Sequence, residues 1–137
     1  RYLESVGLSG GYAWCAAFVY WCAQETAGGH GLTEVPLVKT SWTPSIWSWA
    51  RRRNLGVEPE EVLNREVKLD PGCLFLLHGI VGGRARVKHV GFVASSEGGF
   101  IHTIEGNTNK AGSREGGGVY RLRRKISSVY RFVNYGA

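Results

Sequence analysis

A cysteine at the start of an apolar segment is the residue of this chain best suited to covalent chemistry. Cys15 follows the glycine pair at 10–11 and precedes the run Ala-Ala-Phe-Val. This pattern predicts that Cys15 lies in the first turn of a helix, where the positive end of the helix dipole lowers a thiol pKa. A free cysteine is otherwise a small core residue, so Cys15 predicts a thiol nucleophile only if a base accompanies it.

The strongest candidate for that base is His89, in the segment Val-Lys-His-Val-Gly-Phe-Val at 87–93. Alternation along a strand places His89 and Gly91 on the same face, and the glycine leaves room there for another group to approach. His102 is the main rival, because it is three residues from Glu105. The other histidines are His30, in a glycine-rich turn, and His78, at the end of a strand.

Two polar residues that could orient an imidazole follow in Ile-Glu-Gly-Asn-Thr at 104–108. If the strand continues, Glu105 and Asn107 share one face. A carboxylate or amide that accepts from a histidine N–H fixes the tautomer and orientation of the ring. The alternative is a strand-end turn with Glu105 as a solvated charge.

The elements that must position these residues are helices first and strands afterwards. Residues 2–8 predict a short helix, and 13–27 predict a helix that is apolar nearly all round and therefore interior, ending at the glycines 28–29. Thr43 as cap and Pro44 as first residue predict a second helix to about Arg53. This order predicts an α+β fold with an antiparallel sheet of about five strands. The predicted strands are 73–78, 86–95, 100–105, 119–123 and 129–133, with a long loop at 106–118.

The order and contexts of these residues resemble the CHAP domains, papain-like cysteine amidohydrolases and peptidases that cut bacterial peptidoglycan. Three blocks carry the resemblance: Ala13–Val19 with Trp21-Cys22, Lys88–Val93, and Thr103–Thr108. The resemblance implies a papain-like fold over nearly the whole chain. It assigns Cys15 as nucleophile, His89 as general base, Glu105 as the group that orients His89, and Asn107 as a fourth polar member; His102 has no counterpart. Trp14, beside the nucleophile, is a candidate to line a substrate groove, with core packing as its alternative.

Two departures from the family pattern accompany this resemblance. Cys73 follows the Pro-Gly at 71–72, where family members usually have Asp. Some members bind calcium through an Asp-rich segment before the nucleophile, but residues 1–14 contain Glu4 and no Asp. We therefore expect no metal site and no cofactor.

Composition favours a single domain. The chain has 137 residues, of which 43% are hydrophobic, enough for a core, and no run is long enough to span a membrane. We therefore expect residues 1–137 to be one catalytic domain. Since Met is absent, we expect this domain to be part of, or processed from, a longer chain.

Charge is distributed unevenly along the chain. Residues 1–70 carry seven basic and eight acidic side chains, whereas 71–137 carry ten basic and three acidic ones. The basic half suits an anionic partner such as a wall polymer, although an ordinary solvated surface is an equal alternative. Nucleic-acid binding is not expected, because the arginines at 51–53 and 121–124 do not alternate with stacking aromatics.

The three cysteines cannot all pair with each other. Cys15 and Cys22 lie roughly 10 Å apart along one helix, whereas a disulfide requires Cα atoms within roughly 7 Å. Cys22 and Cys73 either pair or are small core residues.

Together with these observations, the resemblance to CHAP domains implies a monomeric, cysteine-dependent peptidoglycan hydrolase, either an N-acetylmuramoyl-L-alanine amidase or an endopeptidase. The expected location is secreted, periplasmic or at the cell wall. A phage lysin, an autolysin and an antibacterial toxin with an immunity protein all fit the sequence. The alternatives are a non-catalytic wall-binding module on the same fold and a thiol amidase of a small intracellular amide.

Overall fold

Three helices precede or flank the sheet in the part of the chain that the structure describes. The structure is a computed structural model that describes residues 15–29, 37–40, 42–81, 83–107 and 118–135. Within these ranges the helices are α1 (Cys15–Gly29), α2 (Thr43–Arg52) and the short α3 (Pro59–Leu63). The helix predicted at 2–8 lies outside the described residues.

The described strands are β1 (Gly56–Val57), β2 (Leu74–Val81), β3 (Arg84–Glu97), β4 (Phe100–Asn107), β5 (Gly118–Lys125) and β6 (Arg131–Val133). They form one antiparallel sheet in the order β1-β6-β2-β3-β4-β5. The long central strands pair as consecutive hairpins, so that β3 lies between β2 and β4. The chain therefore has the α+β architecture that the sequence predicts.

The sheet lies between two hydrophobic clusters, and β2 contributes apolar side chains to both of them. Leu74 and Leu76 belong to the cluster that includes α1 and α2, whereas Phe75 between them belongs to the opposite cluster. All three are fully buried. This explains why β2 has a continuous apolar run rather than alternation, since neighbouring residues of a strand point to opposite faces.

Helix α1 contacts β3 and β4, and a glycine of β4 permits that approach. A Cβ atom at Gly106 would lie 2.4 Å from the Phe18 ring, closer than carbon atoms approach without displacement. Five residues of α1 in succession, from Cys15 to Val19, are buried. The helix is thus interior, as its apolar circumference predicts, and its first residue lies against the sheet.

Several boundaries differ from the sequence-based predictions. The sheet has six strands among the described residues rather than about five, because the two-residue β1 adds to its edge. Helix α1 continues through the glycines at 28–29, where the sequence predicted a stop. The N-cap of α2 is Trp42, so that Thr43 is the first helical residue rather than the cap.

Two further differences concern segments outside the apolar pattern. Helix α3 was not predicted; it is stabilised by Pro59 in its first turn and by a capping box in which Glu58 and Glu61 bond reciprocally. The loop predicted at 106–118 is shorter, because β4 continues to Asn107 and β5 begins at Gly118. Residues 108–117 lie outside the described ranges.

Candidate active site

The first residue of α1 and the middle of β3 meet at the edge of the buried core. The Cys15 thiol lies close enough to the His89 side chain, the backbone of Val90 and the side chain of Thr43 for all three to influence its pKa. The Cys15 Sγ to Thr43 Oγ1 distance is 3.9 Å. A thiol and an imidazole 74 positions apart in the sequence are therefore neighbours in the fold.

The His89 ring is held from its other side by Glu105 on β4. The Nε2 to Oε1 distance is 2.6 Å. Because Nε2 donates to the carboxylate, Nδ1 is the ring nitrogen left to face Cys15. Glu105 is fully buried, whereas 12% of the His89 side chain is accessible, so the carboxylate is shielded and the imidazole is not.

Each oxygen of the Glu105 carboxylate accepts two hydrogen bonds. Oε1 accepts from His89 Nε2 and, at 2.8 Å, from Arg124 Nη2. Oε2 accepts from the Thr103 hydroxyl at 2.6 Å and from Arg124 Nε at 2.7 Å. Four bonds fill the four lone-pair positions of a carboxylate, so Glu105 is ionised and fixed rather than a solvated charge at a turn.

A glycine and a phenylalanine explain how a carboxylate fits beneath β3. A Cβ atom at Gly91 would lie 2.6 Å from the Phe75 ring and 2.9 Å from Glu105 Cγ. The Phe75 ring meets His89 edge-on, with centroids 6.0 Å apart, and Arg124 lies over it at 5.5 Å. The sequence predicted that Gly91 admits another group on the His89 face; the groups are the side chains of Phe75 and Glu105.

The electrostatics of this cluster favour a thiolate facing an imidazolium. Burial raises the pKa of the Cys15 thiol, but the hydrogen bond and charge of His89 outweigh it, and the pKa falls below its ordinary value. Burial lowers the pKa of His89, but its bonds to Cys15 and Glu105 raise it to about 9. Both shifts favour the state in which the ring carries the proton and the sulfur is a thiolate.

The carboxylate stays ionised for a different reason. Burial raises the pKa of Glu105, yet the hydrogen bonds from Arg124, His89 and Thr103 bring it down to about 2. The same contact raises the pKa of Arg124. A buried carboxylate with this set of donors therefore keeps its charge at neutral and mildly acidic pH.

The other two cysteines are free thiols without such partners. No disulfide joins the three cysteines, so the option that Cys22 pairs with Cys73 is not realised. Burial raises the pKa of Cys22 to about 11, with Glu25 adding to it, and raises that of Cys73 to about 12, with Asp70 adding to it. Cys15 is thus distinguished by its surroundings rather than by its residue type.

Some of the remaining residues considered for the site lie away from Cys15 and Glu105, and the side chains of others lie outside the described residues. His102 is exposed and lies opposite Arg123, on the face of β4 away from Glu105. His78 stacks on Tyr130 with centroids 3.8 Å apart. The backbone of Asn107 ends β4, but its side chain, like Trp14 and His30, lies outside the described residues.

Sequence reasoning missed Arg124 and Thr103, the residues that hold Glu105, and Thr43, which contacts Cys15. Strand parity on β4 singles out Thr103, since it shares a face with Glu105. Arg124 is one of several basic residues in a row, and only the strand register selects it. Among the described residues, no group of three His, Cys, Asp or Glu side chains is placed to hold a metal ion.

Comparison with protein families shows to which family this chain belongs. The profile of the CHAP domain matches residues 7–107, which include the first helix and most of the sheet. The chain belongs to the CHAP domain family. Comparisons of this CHAP domain with curated proteins and with solved structures give no match.

CHAP domains are in general amidases or peptidases that act on peptidoglycan, and membership gives this chain that general class of function. The matched range contains Cys15, His89 and Glu105, so the three side chains lie within the family's own domain. No helix in the described part of this CHAP domain is long and apolar enough to cross a bilayer.

Proposed function

We propose that this CHAP domain is a cysteine-dependent peptidoglycan hydrolase that cleaves an amide bond of the wall peptide. The observation that carries the proposal is the convergence of three side chains from α1, β3 and β4, in which Cys15 faces His89 and His89 donates to Glu105 across 2.6 Å. A nucleophile, a base and a group that orients the base are the minimum set for this chemistry.

The reaction follows from the charges of this pair. The Cys15 thiolate attacks the carbonyl carbon of the scissile amide and forms a carbon–sulfur bond. The His89 imidazolium gives its proton to the leaving amine, and the carbon–nitrogen bond breaks. Neutral His89 then takes a proton from water, and the hydroxide so formed hydrolyses the thioester, which returns the sulfur as a thiolate.

The start of α1 supplies electrostatic stabilisation for the same reaction. Backbone N–H groups in the first turn of a helix have no partner within the helix and are free to bind an anion. In α1 this first turn begins at Cys15. We assign the oxyanion of the tetrahedral intermediate to these donors, including the N–H of Cys15. Loss of one such donor costs about 10²–10³ in turnover in other hydrolases. Asn107, which ends β4, is proposed as a fourth polar member of the site, and Trp14 as a groove residue.

Charge and context complete the proposal. The basic excess of residues 71–137 suits the anionic polymers of a bacterial wall. We propose that the domain works outside the cytoplasm, either secreted, in the periplasm or at the wall. We propose that residues 1–137 act as one monomeric catalytic domain. A phage lysin, an autolysin and a toxin held by an immunity protein would all use this same site.

The test is digestion of purified sacculi with mass spectrometry of the released fragments. The unsubstituted domain is expected to release muropeptides, and Cys15→Ala is expected to reduce the rate by about 10³-fold or more. Cys22→Ala is the matched control, since it removes a thiol two turns along the same helix and should leave the rate unchanged.

The fragments also separate the finer alternatives. A new amino terminus on L-alanine identifies an amidase, and a cut within the stem or cross-bridge identifies an endopeptidase. Release that persists in Cys15→Ala contradicts the proposed nucleophile. Intact sacculi after incubation with the unsubstituted domain favour a non-catalytic module, or a small-amide hydrolase if glutathione-type amides are cleaved instead.

A further inference from the structure

Arg124 contacts both oxygens of the Glu105 carboxylate by two parallel hydrogen bonds, and no other side chain in the described part of the chain does so. Its Nε lies 2.7 Å from Oε2 and its Nη2 lies 2.8 Å from Oε1. This fork geometry is specific to arginine, because the guanidinium is planar and carries its donors at fixed positions. The pair therefore fixes the plane of the carboxylate as well as its charge.

The contact reaches across the sheet rather than along one strand. Arg124 stands opposite Ile101 in the register of β4 and β5, whereas the register partner of Glu105 is Tyr120. The arginine side chain thus extends back along the sheet and passes over the Phe75 ring at 5.5 Å. The guanidinium is thus held by the Glu105 carboxylate at its edge and by the Phe75 ring at its face, which fixes its orientation toward the carboxylate that it binds.

The direction of the Glu105 lone pairs decides where His89 points. Oε1 accepts from both His89 and Arg124, so the position of the guanidinium limits where the imidazole can donate. The ring orientation in turn sets the direction of the nitrogen that faces Cys15. The chain of contacts Arg124–Glu105–His89–Cys15 therefore runs from the edge strand β5 to the start of α1.

We propose that Arg124 is a positioning residue for the Cys15–His89 pair, which it holds in register by clamping the Glu105 carboxylate. The inference rests on the proposed hydrolase function, since it assigns a role within that site. Arg124 does not touch the reacting atoms, and it acts through Glu105. A purely structural ion pair that fastens β5 to β4 is the competing explanation.

The two explanations differ in their effect on proton affinity. The titratable and charged groups that face Glu105 are His89 from β3 and Arg124 from β5, with Cys15 from α1 behind His89 and Tyr120 opposite it in register. Arg124 contributes the permanent positive charge of this set. Its removal raises the pKa of Glu105 and, with smaller effect, those of His89 and Cys15, because each loses a nearby positive charge.

The experiment measures alkylation of Cys15 by iodoacetamide as a function of pH, followed peptide by peptide by mass spectrometry. Arg124→Gln is expected to move the acid limb of the rate to higher pH, by about one unit. Arg124→Lys keeps the charge but carries it on a single nitrogen, which cannot form the two parallel bonds of the fork. Its acid limb should therefore stay near that of the unsubstituted protein, while kcat on sacculi falls and KM does not. Arg123→Gln is the matched control, because the neighbouring arginine is exposed and lies over Phe100.

A double variant tests whether the effect passes through Glu105. In a Glu105→Gln background, Arg124→Gln should cause no further fall in kcat, and only the smaller shift of the acid limb that follows from the direct loss of a positive charge near His89 and Cys15. Equal profiles for Arg124→Gln, Arg123→Gln and the unsubstituted protein would overturn the inference, as would a full additional loss in the Glu105→Gln background. If Arg124→Gln does not fold, an unchanged kcat in Arg124→Lys overturns it.

This design keeps the inference separate from the proposed function. Iodoacetamide is a small neutral reagent and requires no wall substrate. A shifted acid limb in a protein that leaves sacculi intact would support the role of Arg124 and contradict peptidoglycan hydrolysis. If the acid limb of Arg124→Gln is unshifted and the unsubstituted protein cuts sacculi, peptidoglycan hydrolysis is supported and the role of Arg124 is contradicted.

Discussion

His89 donates from Nε2 to Oε1 of Glu105 across 2.6 Å, from one strand to its neighbour in the sheet. This bond sets the tautomer of the ring and leaves Nδ1 for the sulfur of Cys15. Because Glu105 is fully buried and accepts three other hydrogen bonds, it cannot swing away to relax the ring. The orientation of the base is therefore built into the pairing of β3 with β4.

The pH dependence of turnover should reflect the ion pair of Cys15 and His89. Burial lowers the His89 pKa, but the bonds to Cys15 and Glu105 raise it to about 9. In the proposed mechanism the proton on His89 is the one given to the leaving amine, so kcat/KM is expected to fall as pH rises through about 9. A rate that stays constant or increases across that range in a sacculus assay would contradict a protonated His89 in the working enzyme.

The stability of the fold should fall at both ends of the pH scale. The pKa of Glu105 is lowered from 4.5 to about 2, so its contribution is present above 4.5 and is lost as pH falls toward 2. The pKa of His89 is raised from 6.5 to about 9, so its contribution is present below 6.5 and is lost as pH rises through 9. Urea unfolding at a series of pH values measures both limbs.

A matched pair of glutamate variants checks the acid limb of that profile. Glu105→Gln is expected to flatten the decline in the free energy of unfolding below about pH 4.5, because the group with the lowered pKa is gone. Glu97→Gln replaces an exposed glutamate of β3 and should leave the decline in place. The same acid slope in both variants would show that Glu105 is not the group responsible.

Much of the fold could be predicted from the sequence, because its signals are local. The apolar segment of α1, the Pro44 at the start of α2 and the turn glycines place helices before strands, and the structure has that order. Boundaries were less predictable, since strand ladders continue through exposed residues such as Arg84 and Lys125 that carry no apolar pattern. Helix α3 and β1 are too short to show a period.

The site was predictable only where one residue type has a distinctive setting. Cys15 before an apolar helix and His89 beside Gly91 have such settings, and the structure brings them together. Arg124 has none, because it is one of four basic residues among the last five of β5. Arg124 becomes the partner of Glu105 through the register in which β5 pairs with β4. Its side chain also reaches along the sheet to Glu105 rather than directly across to its register partner.

Gly91→Ala should disrupt the site without touching any reacting group. The added Cβ would lie 2.6 Å from the Phe75 ring and 2.9 Å from Glu105 Cγ, and both side chains belong to the buried support of His89. We expect a loss of about 1–3 kcal/mol in the free energy of unfolding and a fall in kcat of about tenfold or more. Thermal unfolding and a sacculus assay measure the two effects.

Gly28→Ala is the control for that substitution. A Cβ at Gly28 meets nothing within 4 Å, and alanine favours a helix, so stability should stay the same or rise slightly and activity should not change. A Gly91→Ala variant that is as stable and as active as Gly28→Ala would mean that Glu105 and Phe75 tolerate displacement.

Competitive labelling of the three cysteines tests the central claim that Cys15 carries a thiolate made by His89. Limiting iodoacetamide is added to the folded protein at about pH 7, and each cysteine peptide is quantified by mass spectrometry over time. We expect Cys15 to react at least about a hundredfold faster than Cys22 and Cys73, whose pKa values burial raises to about 11 and about 12. His89→Ala should remove this difference. Equal rates at all three cysteines, or a Cys15 rate that His89→Ala leaves unchanged, would contradict the claim.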